Sequence, residues 1–550
     1  MDDNYKASKE AFVSGMTGSS IGHINMVSLA ALISIALHSA FRTRLPPSRS
    51  FQFLGEVLFL VIPLIVSVTI SANAPGLLCL ALLVPTILLL LLPRRESGTY
   101  LPSALTHSRA SSRESSALRD GHSFSTLTIP PLPALTTYRS HLLLLTFICI
   151  LAVDFPVFPR FLAKCETYGV SMMDLGVGSF VFAQGIVSAI PLVKNPEHLT
   201  QPLLPKLAGI MRKCSPVLLL GLLRTISVKG TEYPEHVTEY GVHWNFFITL
   251  GLIPVLQALL HPVMVHVPIS FLGVVVAISH QLALSLGGMQ DFVLDAPRIG
   301  VISANKEGIV SLIGNLGIHL LGLSTGTMVL APTPSYFRRR QQQLARQDAA
   351  PIRPRTPSTD SDSDDDASSA HVPAPANEPR RENDKTATEL CGYAVLWWVA
   401  LAFLKLFGIG GGVSRRLVNL QYITWVTAYN TTFLLGYLVL DLFFFPSPMS
   451  KSVYSPTSKL KVHPDPDVLK ATRHMRGREL SGGSAPALLE AVNKNGLVLF
   501  LLANVATGLI NLSMPTMYMS DLSAMLVLSL YGLGISAIAW SCRHRRLWRF

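Results

Sequence analysis

Runs of 17 to 25 mostly apolar residues recur along this chain from Asn25 to Ser541, and a helix of that length spans the hydrocarbon layer of a bilayer. In lipid the backbone must satisfy its own N–H and C=O groups, which leaves helices and closed barrels; uninterrupted runs without alternation select helices. The expected fold is therefore an all-α polytopic membrane protein, about thirteen transmembrane helices in one bundle. The expected spans are 25–41, 52–72 and 75–93, then 141–158, 171–190, 212–228, 243–263, 265–287 and 309–331, then 391–409, 417–440, 495–513 and 522–541. Only 14% of the residues are charged, and the mean hydropathy is +0.41.

The polar remainder divides the chain. A short N-terminal segment (1–24) precedes the first group of spans (25–93), and a Ser, Arg and Pro-rich loop (94–140) separates it from the second (141–331). A Pro and Ser-rich linker with the acidic run DSDSDDD fills 332–390, spans follow at 391–445, a basic loop covers 446–494, and the last spans (495–541) lead to a cationic tail, 542–550. The loop and linker are too polar to pack and are expected to be mobile or disordered. With thirteen spans, the connectors carrying Arg42 and Arg44, Arg94 and Arg95, Arg212 and Lys213, Arg338 to Arg340, Lys459 and Lys461, and the tail all fall on one side. The positive-inside rule makes that side cytosolic and the N-terminus lumenal.

The net charge of +12 is thus a topology signal, and nucleic acid is not an expected partner. Six scattered cysteines show no metal-ligand or disulfide spacing, and the acidic run lacks the glycine turn of a calcium loop. No metal and no tightly bound cofactor is expected. P-loop, HExxH, nucleophile-elbow and dinucleotide motifs are absent from the sequence.

Chemistry is expected where charge meets lipid. Between the fourth and fifth spans lie Asp154, Arg160, Lys164, Glu166 and Asp174, and a charge inside hydrocarbon costs about 2.5–3.5 kcal/mol unless paired, hydrated or used. Pro156 and Pro159 break the helix there, so the chain is free to turn Lys164 back toward Asp154. The pair reads either as a functional acid and base or as an interhelical salt bridge. Other polar groups at span ends are His243, Trp244 and Asn245, which suit a headgroup site or an interfacial belt, and Lys306 with Glu307. Asn419, Gln421, Asn504 and Asn511 read as interhelical bonds, His280 and His319 as packing residues or a rival base, and Arg224 as a snorkelling side chain. Asn430 and Asn511 head N-x-S/T sequons too close to spans for glycosylation.

Five ordered blocks carry a resemblance. They are YKASKEAFVSG with Gly18 and Asn25, VDFPVFPRFLAKCETYGVSMMDLGVGSFVF, EYGVHWNFF, ANKEGIVSLIGNLGIHLLG and NVATGLINLSM. In their order they resemble the glycosylphosphatidylinositol (GPI) anchor inositol acyltransferase family, in particular its fungal members. The resemblance implies an endoplasmic reticulum enzyme that moves a palmitoyl chain from palmitoyl-CoA, its co-substrate, to the inositol 2-hydroxyl of glucosaminyl-phosphatidylinositol. On that reading Asp154 takes or orients the inositol proton and Lys164 holds that carboxylate or the thioester oxyanion. Arg160, Asp174, His243, Trp244, Asn245, Lys306 and Glu307 would contact substrate. A secondary transporter, which also places charges beside broken helices, and a non-catalytic subunit of a lipid-processing complex are the alternatives.

Overall fold

The computed structural model describes residues 8, 11–12, 14–46, 52–94, 129, 131–229, 237–349, 381–445 and 485–548. Most of the 94–140 loop, the acidic part of the linker, most of the 446–494 loop and residues 230–236 lie outside them. The described residues are helical, with a single isolated bridge between Gly18 and Val170. In order come α1 (Ile21–Arg44), α2 (Gln52–Val68), α3 (Pro75–Leu91), α4 (Pro133–Ala152), α5 (Met172–Lys194), α6 (Leu203–Lys229), α7 (Phe246–Leu259), α8 (Ile269–Ser285) and α9 (Met289–Asp295). Then follow α10 (Lys306–Val329), α11 (Tyr336–Ala349), α12 (Asn383–Leu406), α13 (Leu420–Phe444), α14 (Ala487–Lys494), α15 (Gly496–Ser513) and α16 (Asp521–Ser541).

Among the described residues, eight helices are long and apolar enough to cross a membrane, nine if α8 and α9, bent by 64°, count as one span. The expected count of thirteen is not confirmed by length and composition. The runs near 52, 75 and 243 form shorter helices, α2, α3 and α7. Pro63 interrupts α2, where a ring replaces the N–H that would continue the ladder, and α7 stops at Leu259 just before Pro262. α6 is long enough but carries Lys206, Arg212, Lys213 and Arg224. Hydropathy alone does not register such breaks.

α4 begins eight residues earlier than its apolar run suggests, with Pro133 in its first turn. Its polar opening turns face protein. Tyr138 donates to Asn430 Oδ1 (2.7 Å), His141 Nδ1 pairs with the Tyr437 hydroxyl (2.7 Å), and Ser140 donates to Leu489 O (2.5 Å). Helix α11 lies inside the stretch expected as a linker; its Phe337 is buried and Gln341 donates to Met264 O and Val267 O, while Arg338 and Arg339 face outward.

The bundle centres on α5 against α10. A side chain at Gly185 or Gly322 would run into the facing carbonyls of His319 and Phe182, and one at Gly326 would lie 2.5 Å from Ile186 O. Small residues let the backbones touch, which is how helices associate without a hydrophobic drive between them. His319 Nε2 donates across this core to Gln257 Oε1 (2.8 Å), and His280 Nε2 donates to Leu417 O (3.0 Å). Both histidines sit within packing.

Helix directions sort the connectors onto two ends. At one end, Arg94 reaches Phe444 O, Glu56 accepts from Leu488 N, and Lys494 reaches Arg543 O. At the other end, residues 14–20, 153–171, 237–245, 296–307, 408–420 and 511–516 are stitched together by Ser19 N to Val170 O, Gly169 N to Val413 O and Val242 N to Ala304 O.

Candidate active site

The second end is built around the segment 153–171. Two Phe-Pro pairs, Phe155-Pro156 and Phe158-Pro159, fold it back under α4: Phe155 and Phe158 are fully buried, and Arg160 closes the helix by donating to the carbonyls of Val153 (2.9 Å), Phe155 (3.0 Å) and Phe158 (2.7 Å). A cation at a helix C-terminus satisfies the last carbonyls and the negative end of the helix dipole. The guanidinium also stacks on Phe12, and burial lowers it to about 10. Arg160, expected to contact substrate, is thus engaged in shaping the loop.

Asp154, 5% exposed, sits just beyond α4, and Asn511 Nδ2 on α15 donates to its Oδ2 (2.8 Å). Thr516 in turn donates to Asn511 Oδ1 (3.0 Å). The expected pairing with Lys164 is replaced. Lys164 Nζ instead meets both oxygens of Glu239, at 2.8 and 2.9 Å, because the loop carries it across to the turn Val237–Tyr240 before α7.

From there a chain of charges runs inward. Arg415 Nη1 lies 3.5 Å from Glu239, and its Nε donates to Asp174 Oδ1 (2.7 Å). Asp174 Oδ2 takes Cys165 N (2.9 Å) and Ser171 Oγ (2.8 Å), while Ser171 accepts Asp174 N, so the residue that caps α5 also anchors the pair. The next residue, Arg416, turns the other way to Glu307 (2.9 Å), which Arg298 also holds (2.5 and 2.9 Å). Lys306 donates to Ala296 O (2.5 Å).

The two arginines diverge because residues 408–419 form a tight glycine-rich turn. Gly408, Gly410, Gly411 and Gly412 all have positive φ, as does Val418 at +47°, the region that favours glycine. Asn419 closes the turn by capping α13 at Tyr422 N (3.1 Å) and donating to Gly410 O and Gly412 O. Gln421 donates to Ile409 O, and Asn504 only to Phe500 O on its own helix.

Electrostatics follow from this packing. Burial would raise the Glu239 carboxyl, but Lys164 and Arg415 outweigh it and hold it at about 2, below its usual 4.5. Burial, then the Asp174 charge, pushes the Cys165 thiol up to about 12, which keeps it protonated and unfit as a thiolate nucleophile. A depressed carboxylate adds stability above its unfolded value and loses it as pH falls through the folded one. The stability gap between wild type and Glu239→Gln in detergent is expected to be full at pH 7, to shrink as pH drops below about 4.5, and to close near 2. Thermal melts across that range check it; a gap that does not vary with pH contradicts the assignment.

Of the expected substrate contacts, Asp174 (1% exposed), Lys306 (2%) and Glu307 (0%) are buried within these networks, their charge absorbed by partners that the sequence did not single out. Asn245 caps α7, with Oδ1 accepting from Phe247 and Ile248 and Nδ2 donating to Gly221 O (2.7 Å). Trp244 packs over Gly308 and donates to Thr249 (2.9 Å). His243 is exposed, its backbone N–H held by Asn305 Oδ1 (2.8 Å). Lys164, 39% exposed at its side chain, is the most open charge in these ion pairs apart from the surface pair Lys385–Glu382. Glu239, Arg298, Arg415 and Arg416 have no spacing signal; the Arg-Arg pair just before a helix cap is the only hint.

A second feature lies along the bundle. A cleft of about 280 Å³ opens between α4, α5 and α7, lined by Leu142, Leu143, Phe180, Ala183, Val187 and Leu250 together with Arg139, Gln184 and Ser188. Arg139 has no ion-pair partner among the described residues, and Gln184 Oε1 is buried without a hydrogen bond there. No cluster of three or more His, Cys, Asp or Glu among the described residues has metal-binding geometry.

A bundle of helices long and apolar enough to cross a membrane, with a buried acid, a partly exposed lysine in an ion-pair network and an apolar cleft between helices, defines a polytopic membrane protein. The chain belongs to the GWT1 family, whose model matches residues 5–542. It is 36% identical to GPI-anchored wall transfer protein 1 of Cryptococcus neoformans var. grubii, over 99% of both chains. Proteins of the same name in Gibberella zeae (35% identical, 98% of this chain and 97% of that one) and Aspergillus fumigatus (34%, 100% and 99%) are similarly close.

Proposed function

We propose that this protein works in GPI-anchor biosynthesis in the endoplasmic reticulum membrane, transferring a palmitoyl or similar long acyl group from acyl-CoA to the inositol 2-hydroxyl of glucosaminyl-phosphatidylinositol. The observation that carries the reading is the loop 153–171, which holds a buried carboxylate and a partly exposed ammonium at one end of an intramembrane bundle. Transfer from a thioester to a secondary alcohol needs a base at the hydroxyl, a charge for the developing oxyanion and alignment of two lipids. Asp154, fixed by Asn511, accepts the inositol proton as the oxygen attacks the carbonyl. Lys164 holds the oxyanion or the headgroup phosphate. The C–S bond then breaks, and the leaving thiolate recovers the proton.

The cleft supports a route for the donor. Arg139 stands roughly 22 Å along the chain axis from Asp154, fifteen residues at helical rise, a reach of the same order as an extended pantetheine arm. On this reading phosphates of CoA rest near Arg139, at the end with the basic connectors, which faces the cytosol; the thioester reaches in toward the lumenal loop. The N-terminus is then lumenal and the C-terminus cytosolic.

The bent pair α8 and α9, whose Val293 O accepts from Arg416, joins the charges beside broken helices as a feature shared with transporters. Purified protein separates the readings. Incubated with palmitoyl-CoA and glucosaminyl-phosphatidylinositol in detergent, it is expected to yield inositol-acylated lipid and free CoA in equal amounts. No product from the pure, folded protein rejects the enzyme and favours a transporter or a dependent subunit.

A further inference from the structure

We propose that Glu239 is a specificity-determining residue that reads the free amine of the substrate's amino sugar; the assignment rests on the activity proposed above. Three carboxylates take part in the two ion-pair clusters: Asp174, Glu239 and Glu307. Asp174 and Glu307 are 1% and 0% exposed at their side chains, whereas Glu239 keeps 14%. Of these three ion-paired carboxylates, only Glu239 is open to a cationic group arriving from outside. Its partner Lys164 is more open still, at 39%.

The charge balance says what else arrives. Counting Arg224 beside Glu239 and Asp295 beside Lys306, the clusters hold six cations (Lys164, Arg224, Arg298, Lys306, Arg415, Arg416) and four carboxylates. The excess of cations suits a phosphate. A headgroup bearing both an ammonium and a phosphate exchanges partners with the Lys164–Glu239 pair: phosphate to Lys164, ammonium to Glu239. No charge is left alone, and Arg415 keeps Glu239 in place throughout. An N-acetylated sugar offers no cation, so binding its phosphate to Lys164 strips Glu239 of the ammonium at 2.8 and 2.9 Å and leaves it the more distant Arg415, at 3.5 Å. Taking the nearest partner from a mostly buried charge is the kind of penalty that gives discrimination.

The test compares glucosaminyl-phosphatidylinositol with its N-acetyl analogue as acceptors, using purified full-length protein and palmitoyl-CoA. The wild type is expected to favour the free amine by about 100-fold or more in kcat/KM, and E239Q to bring that ratio below about 10. The change should appear as a raised KM for the amine with a smaller change in kcat. Glu166→Gln, an exposed carboxylate at the same end that accepts from Gly15 N, should leave the ratio unchanged.

Glu239→Asp, which keeps the charge on a shorter arm, should retain the preference with KM raised several-fold; it carries the test if E239Q accumulates poorly, and an unaltered KM there counts against the role. An unchanged ratio in E239Q, or a collapse in Glu166→Gln instead, overturns this assignment while the acyltransferase reading stands. Absence of transfer to either acceptor by the wild type overturns both.

Discussion

Asp154→Ala is expected to lower acyl transfer by about 10³-fold with the protein still folded. A positioned general base contributes on the order of 10² to 10⁴, and no second carboxylate is placed to replace it in the 153–171 loop: Asp174 is engaged by Arg415, Ser171 and Cys165, and Glu166 points outward to Gly15. Asp154→Asn keeps the shape and an oxygen for Asn511, yet removes the base, so it should be nearly as inactive and distinctly better folded. Lys164→Ala removes the cation that holds the oxyanion or the headgroup phosphate; a lost oxyanion donor costs about 10² to 10³ in kcat, whereas a lost phosphate contact raises KM. Initial rates in membranes, normalised to protein level, decide the matter. Alanine variants at both positions that keep rates within about threefold of wild type would end the catalytic assignment.

The largest effect on stability belongs to Arg415. Its guanidinium is 6% exposed and joins two carboxylates from different elements, Asp174 at the start of α5 and Glu239 before α7. Arg415→Ala strands Asp174 in a site with 1% exposure, and breaking a buried pair from one side costs about 3–5 kcal/mol. Arg416→Ala should do much less, because Arg298 still holds Glu307 from two nitrogens. Arg415→Lys restores charge without the planar fork, so it should recover only part of the loss. Thermal unfolding in detergent ranks the three. Equal losses for Arg415→Ala and Arg416→Ala would show that the Arg415 link is not the principal tie.

Partner choice was the less legible part of the site. Asp154 and Lys164 stand out in sequence because charges beside apolar runs are rare, and Asn511 reads correctly as an interhelical bond. Their partners do not stand out. Glu239, 75 residues beyond Lys164, opens the EYGVHWNFF block, but nothing local marks it as the partner of Lys164, and Asp174 looks like a substrate ligand until its donors are seen. The early start of α4 was hidden for the same reason: Tyr138, Ser140 and His141 count as polar, and only Asn430, Leu489 and Tyr437 make their burial affordable.

From the sequence alone followed the helical class, the membrane, and the charged loop that holds Asp154 and Lys164, since long apolar runs and rare charges are local properties that lipid acts on directly. Tertiary structure decided how many runs are long enough to cross, which carboxylate Lys164 meets, and which charges stay within reach of a substrate. Those depend on contacts between segments far apart in the chain, and the energy of a buried charge is set by its neighbour in space.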